Sequence, residues 1–491
     1  MYLGIDIGTQ SVKTLILDAQ NSSVAAVASA PLELISESDG TREQHAHWWI
    51  DALKRCLAGI DPKLLAAIEA IGVSGQQHGF VPVDKQGKVL APVKLWCDTA
   101  TTNECEQITA AYGGAAKIIA DVGNAIVPGY TAPKIRWLKN NRPELYQQLH
   151  MVLLPHDYLN FYLSGELAME WGDASGTGLL DIRSRNWHAG ILLAIDAERD
   201  LTDCLPSFVA PDQAMGQLHQ QAAEEFGLPA GTPISAGGGD NMMAALGTGN
   251  VVAGRLTVSL GTSGTLFAFS DTPVIDPSGQ LAAFCSSTGG WLPLLCTMNC
   301  TVATELSRQL LGADLEACEQ LVNQSPAGAE GIVTLPFFNG ERTPNLPNGK
   351  GCILGLDDQN YSASNLMRSA MESATFGLRA GSDAFFRLGC ELNEIRLTGG
   401  GSQSAAWRQM VADVFNLPVT VLANDEGAAL GAALQALWMH SGVEPAALAE
   451  QHLQKDEARC CIPRSDVAAL YAGFYQRYLN HVEHLTPLYA Q

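Results

Sequence analysis

Positive charge is scarce in this chain: 29 Lys and Arg stand against 51 Asp and Glu over 491 residues, a formal net charge of -22. Nonspecific nucleic-acid binding runs on counterion release to clustered cations, and an anionic membrane surface attracts the same clusters, so the balance argues against both partners. No uninterrupted apolar run is long enough to span a bilayer, and Met1-Tyr2-Leu3-Gly4-Ile5-Asp6 sets a carboxylate where a signal peptide needs its apolar core. The 12 cysteines include no C-x-x-C pair, which predicts buried reduced thiols in a cytoplasmic protein rather than disulfides or a structural metal. Common nucleotide signatures are missing too. Gly87-Lys88-Val89 and Gly349-Lys350-Gly351 lack the hydroxyl residue of a P-loop, and no clean G-x-G-x-x-G follows the first strand.

What is present is repetition. With 47% hydrophobic residues the chain can fill well-packed interiors, and its length predicts more than one domain. Tyr2 to Asp18 reads as strand, tight glycine turn, strand, and Leu256 to Phe267 reads the same way, so that Ile5-Asp6-Ile7-Gly8-Thr9 lies over Val258-Ser259-Leu260-Gly261-Thr262. Ala244-Ala245-Leu246-Gly247 recurs as Ala428-Ala429-Leu430-Gly431, each after an acidic turn, Asp240-Asn241 and Asp425-Glu426. The two pairings in one order predict two similar domains, residues 1–246 and 247–491. Strands alternating with helices, as from Leu64 to Gly75 and from Glu394 to Phe415, predict α/β layers.

Four glycine turns follow strand-like runs: Gly8-Thr9-Gln10-Ser11, Gly237-Gly238-Gly239-Asp240, Gly261-Thr262-Ser263-Gly264 and Gly399-Gly400-Gly401-Ser402. Turns of Gly, Thr and Ser expose successive backbone N–H groups and hydroxyls, which phosphate oxygens accept from. Any one of them fits an ordinary hairpin; four together, two of them duplicated, point to phosphate binding.

These turns, with Gly75-Gln76-Gln77-His78-Gly79, Gly129-Tyr130-Thr131-Ala132-Pro133-Lys134-Ile135-Arg136-Trp137, Gly340-Glu341-Arg342-Thr343-Pro344 and the run from Gly351 to Glu372, resemble the FGGY carbohydrate kinases of the sugar-kinase, actin and chaperone superfamily. The resemblance spans nearly the whole chain and is strongest to members acting on D-xylulose. It implies two duplicated ribonuclease H-like, actin-like ATPase domains around a central cleft, a ketose on the first and ATP mainly on the second. It also implies closure that keeps water from the γ-phosphate. Asp240 is then the general base for the sugar hydroxyl, and its place at a helix mouth predicts a lowered pKa. Asp6 is the expected Mg²⁺ ligand, directly or through water, with Ser259 in the equivalent position of the second hairpin. Gln77, His78, Trp96, Asp98 and Asn241 are the expected sugar contacts. Thr9, Gln10, Ser11, Gly261, Thr262 and Ser263 should face the phosphates, and Gly400, Gly401 and Ser404 the adenosine. The residues alone leave plainer roles open: a helix cap for Asp240, a turn tie for Asp6, a surface turn for His78, a core position for Trp96. The Glu341-Arg342-Thr343-Pro344 loop reads equally as a salt-bridged loop or a cleft wall. Three stretches depart from the usual pattern of these members, Gln76-Gln77-His78-Gly79, Trp96-Cys97-Asp98 and Pro155-His156-Asp157-Tyr158. The expected reaction is phosphorylation of a small ketose, D-xylulose first, with another ketose or a polyol as the rival substrate and an actin- or chaperone-like ATPase as the rival class. A homodimer is compatible with these features.

Overall fold

A computed structural model of the chain describes residues 1–424 and 426–489; Asp425, half of the second acidic turn, lies outside them. The chain forms two compact units: Met1–Val251 with Ser270–Leu292 and Glu426–Leu453, and Val252–Phe269 with Pro293–Asp425 and Gln454–Gln491. A single division at 246/247 does not capture this threading, because two later segments pack into the first unit.

The first unit is built on β1 (Tyr2–Ile7), β2 (Ser11–Asp18) and β3 (Ser23–Pro31), then helix α1 (Ala46–Ala58) and β4 (Ala70–Gly75). Helices α2 (Thr131–Asn141), α3 (Pro155–Ser164) and α4 (Trp171–Ala174) follow, then β5 (Ala214–Gln217), β6 (Pro233–Ser235), β7 (Gly238–Gly239) and α5 (Asp240–Thr248). The sheet runs β5-β6-β4-β1-β2-β3, with β7 also on β4. Strands β1 and β4 are buried along nearly their whole length, as expected of strands covered on both faces, and α1 seals one face with Trp49, Ile50, Leu53, Cys56 and Leu57. Asp6 stands opposite Lys13 on β2 and Ser74 on β4.

The second unit repeats the plan with β8 (Gly254–Leu260), β9 (Gly264–Ala268) and β10 (Leu294–Thr297). Helices α6 (Thr301–Leu311) and α7 (Ala363–Arg387), strand β11 (Leu392–Thr398), helix α8 (Ala405–Phe415) and strand β12 (Val419–Thr420) complete it. Its sheet order is β10-β9-β8-β11-β12. In each unit a hairpin carries a third antiparallel strand on one side and a parallel strand on the other, so the duplicated hairpins read in the sequence occupy equivalent places.

The second copy of the Ala-Ala-Leu-Gly run does not serve the second unit. It lies in α9 (Gly427–Ser441), which joins the first unit beside the first copy in α5. Small residues make this seat: a Cβ added at Gly4 would stand 1.9 Å from the Ala429 carbonyl oxygen, and one at Gly72 1.9 Å from that of Ala432. Gly247 and Gly431 do the same where α5 crosses α9. Such backbone contact admits no methyl group. Gly431→Ala, whose Cβ would fall 1.7 Å from the Met243 carbonyl oxygen, is therefore expected to cost about 3 kcal/mol or more, read as a lowered midpoint in urea at unchanged slope.

Candidate active site

The β1–β2 hairpin closes on itself through the Gly8 N–H to the Ser11 carbonyl at 3.0 Å, leaving the Asp6 carboxylate free of its own turn. Instead it accepts from the Ser74 hydroxyl at 2.7 Å. Burial pushes its pKa up against the opposing pull of Ser74 and Lys13. Lys13 in turn pairs with Glu426 just ahead of α9.

Asp240 is the first residue of α5, not its cap; Gly239 occupies that place. The chain reaches it through a bulge. Ile234 faces Ile71 and Gly238 faces Ser74, four steps against three, so one extra residue is absorbed at the glycine triplet. Gly237 takes φ +79° there, and Gln435 of α9 satisfies it from both ends: its Oε1 accepts from the Gly237 N–H (2.8 Å) and the Ser235 hydroxyl (2.8 Å), while its Nε2 donates to the Gly237 carbonyl (2.9 Å). The Asp240 carboxylate accepts from the Asn241 N–H at 2.8 Å and the Asn241 side-chain amide at 3.0 Å. A lowered pKa is not what results. Loss of bulk water, followed by the charges of Asp6 and Asp173, outweighs those bonds and the helix end and pushes the group up to about 8.

The Asn241 amide also donates to the Gln77 side-chain carbonyl at 2.7 Å, bringing two of the residues expected to hold a sugar together beside Asp240. His78 adjoins them and is buried, not a surface turn residue, with a left-handed φ of +61°. Its Nδ1 lies 3.0 Å from Asp173 of α4, and its ring packs on Tyr130 and on Phe284 of the 270–292 segment. Beneath it runs a chain of buried charges. Asp173 lies 3.5 Å from His156 Nδ1, and His156 Nε2 lies 2.9 Å from Asp157. Burial alone would raise Asp173, but the two imidazoles hold it down at about 2. For His156 burial pulls downward and is overcome by Asp157 and Asp173, leaving its pKa well above the usual value.

Trp96 is 40% exposed, which removes it from the core, and its Nε1–H donates to the Thr9 hydroxyl at 2.9 Å. That hydroxyl donates to Gln76 (3.1 Å), which donates to Gln44 (2.9 Å), and Gln44 returns a bond to the Thr9 carbonyl (2.8 Å). One network thus holds the first glycine hairpin and the Trp96 loop. Gln10 and Ser11 complete the hairpin with their side chains at or near the surface. Asp98 is occupied structurally: it accepts from Lys94 (3.1 Å) and from the N–H groups of Arg42 (2.8 Å) and Ala100 (3.1 Å).

In the second unit, the β8–β9 turn holds Gly261, Thr262 and Ser263, whose first two carbonyls accept from the N–H groups of Thr301 and Cys300 at the start of α6. Gly400 faces open space, whereas Gly399 and Gly401 press on Leu260. The Ser404 hydroxyl caps α8 at the Trp407 N–H and donates to Glu319. The Glu341 loop is no salt-bridged loop among the described residues. The buried Glu341 carboxylate accepts from the N–H groups of Met298 (2.6 Å) and Arg342 (2.8 Å) and from the Asn299 amide (3.1 Å).

Sequence reasoning passed over Gln44, Gln435, Asp173 and His156. The acidic, glycine-rich run from Trp171 to Gly178 was a usable signal for Asp173, and His156 stood in the sequence as a departure without a role. Among the described residues no three His, Cys, Asp or Glu side chains gather to hold a metal, no helix is long and apolar enough to cross a membrane, and all 12 cysteines are free thiols.

Residues 1–247 match the N-terminal domain of the FGGY family of carbohydrate kinases, and residues 256–440 match its C-terminal domain. The chain is 43% identical to a xylulose kinase of Haemophilus influenzae, covering 99% of this chain and 100% of that protein. It is 35% identical to a xylulose kinase of Escherichia coli over 88% and 89% of the two chains. A crystal structure of a xyloylose kinase from Brucella ovis superposes with a TM-score of 0.92 at 31% identity, covering 99% of each chain.

His156 is the cation between two buried carboxylates, so His156→Gln should destabilise the fold by about 3 kcal/mol near pH 7. The raised pKa fixes the sign: the stability that His156 contributes is fully present below its ordinary value and is lost as pH rises through the folded one. Denaturant melts of both proteins across alkaline pH should therefore converge, and a constant difference would remove the charge from the explanation.

Proposed function

The chain belongs to the FGGY family of carbohydrate kinases, and on that premise we propose that it transfers the γ-phosphoryl group of ATP to the terminal hydroxyl of D-xylulose, giving the 5-phosphate. The relatives named above support the choice of sugar, being similar over most or all of their length. An ATPase that transfers nothing to a sugar is not favoured. The single observation that carries the mechanism is the half-buried carboxyl of Asp240, oriented by Asn241 at the end of β7 and linked through Asn241 to Gln77.

A sugar hydroxyl is a weak nucleophile, and phosphoryl transfer gains most from positioning and charge stabilisation. Asp240 accepts the hydroxyl proton as the new O–P bond forms, and its elevated pKa makes it a stronger base than an exposed carboxylate once ionised. Gln77, His78, Asn241 and the exposed face of Trp96 hold the ketose, and Asp98 braces the Trp96 loop through its backbone contacts. The first unit supplies the sugar site and the second takes the nucleotide. Gly261, Thr262 and Ser263 offer N–H and hydroxyl groups to phosphate, as do Thr9, Gln10 and Ser11. Gly400 leaves backbone open to the adenosine, Gly401 follows it packed on Leu260, and Ser404 borders it from the start of α8.

Asp6 would hold Mg²⁺ or one of its waters. The fit is chemical: Mg²⁺ is commonly bound by one or two carboxylates plus substrate phosphates and water rather than by a protein cage, and Asp6 offers an ionisable carboxylate bonded to Ser74. Bound there, the ion would neutralise charge on the phosphates.

Asp240→Ala should lower kcat by about 10³-fold while D-xylulose binding, measured by calorimetry, is largely kept; retained turnover would remove the base assignment. In the wild type, kcat/KM should fall as pH drops on a limb far above the pH of about 4 expected for an exposed carboxylate, because the base must be ionised. Asp6→Asn should raise the Mg²⁺ concentration needed for half-maximal rate. A coupled ADP-release panel across pentuloses, heptuloses and polyols tests the sugar, and a clear preference for any other acceptor overturns D-xylulose.

A further inference from the structure

Lys134 has no part in the mechanism above, yet it is fully buried, and among the described residues no carboxylate forms an ion pair with its amine. A buried ammonium or amine is costly where an apolar side chain of similar volume would pack without penalty. Its donors go to backbone. Nζ donates to the His78 carbonyl at 2.8 Å and to the Gly129 carbonyl at 2.7 Å. Thr131, one helical turn earlier on the same face of α2, donates its hydroxyl to the same His78 carbonyl at 3.2 Å.

The two carbonyls belong to the two segments expected to meet the sugar. His78 holds a left-handed backbone, which a non-glycine residue keeps only when its surroundings over-determine it. Gly129 lies against the Trp96 backbone so closely that a Cβ on it would fall 2.6 Å from the Trp96 carbonyl oxygen. Lys134 is thus bonded to both the His78 turn and the segment that backs Trp96.

We infer that Lys134 is a positioning residue for ketose binding: it pins the strained His78 turn and fixes its spacing to the Trp96 loop, without touching the substrate. The inference rests on the proposed reading of His78 and Trp96 as sugar contacts. Lys134→Met removes the donors while keeping the length of the side chain, and Thr131→Val removes the second donor to the same carbonyl.

Steady-state kinetics with D-xylulose and MgATP on Lys134→Met, Thr131→Val, His78→Ala and the Lys134→Met/His78→Ala double variant, with thermal melts of each, test it. Expected are a ketose KM raised about tenfold in Lys134→Met, a smaller rise in Thr131→Val, an ATP KM unchanged, and no further rise when Lys134→Met is added to His78→Ala. An unchanged ketose KM with a lowered melting temperature in Lys134→Met would reduce Lys134 to a structural staple and overturn the inference. So would equal increases in both KM values. If Lys134→Met does not fold, Thr131→Val decides on the same criterion. If His78→Ala leaves ketose KM unmoved, the reading of His78 as a sugar contact fails and the inference with it. A responsive His78→Ala beside a silent Lys134→Met sinks the inference alone.

Discussion

Helix α9 lies against β1, β4 and α5 at a distance that admits no side-chain atom at Gly4, Gly72, Gly247 or Gly431, and the first unit's chemistry is arranged around that contact. Its N-terminal flank brings Glu426 to Lys13, across the hairpin from Asp6. Two turns further on, Gln435 fills the bulge at Gly237 and sets the path of the backbone into Asp240. A side chain 198 residues downstream of Gly237 therefore completes the turn that leads into Asp240. Close backbone packing gives this rigidity because glycine and alanine have no rotamers to rearrange.

Around that scaffold the first unit concentrates buried charge. Asp240 is pushed upward by burial and by the charges of Asp6 and Asp173, and Asp6 by burial, while Asp173 is held low by two imidazoles. The contrast separates roles physically. A carboxylate flanked by other acids keeps its proton to higher pH, and one clamped between histidines stays a fixed anion that orients its neighbours. His78 depends on the second kind, gripped at its ring by Asp173 and at its carbonyl by Lys134 and Thr131. The 270–292 segment adds Phe284 to this grip and Ser287 to the Glu170 carboxylate that caps α4.

The two units share a strand plan but not a chemistry. The first hairpin carries an acid at position 6 and the second a hydroxyl at Ser259, and α9 packs on the first. The duplication is therefore one of strands and turns, not of the side chains they carry. Asp98 shows the limit of reading such residues by type, since Lys94 and two backbone amides already take up its oxygens.

Local signals determined much of this protein. Strand, glycine turn, strand is written in residues 2–18 and 256–267 because short apolar runs and φ freedom are properties of neighbours in sequence, and the family motifs carried Asp240, Gln77, His78 and Asn241 to one place. The tertiary structure alone decided the rest. The membership of α9 in the first unit, the Gln435 clasp, the buried Asp173–His156 pair and the direction of the Asp240 pKa all depend on which distant groups end up within a few ångströms. The local rule that a helix N-terminus stabilises an acid was overridden there, because the loss of water and two nearby negative charges outweigh half a helix dipole.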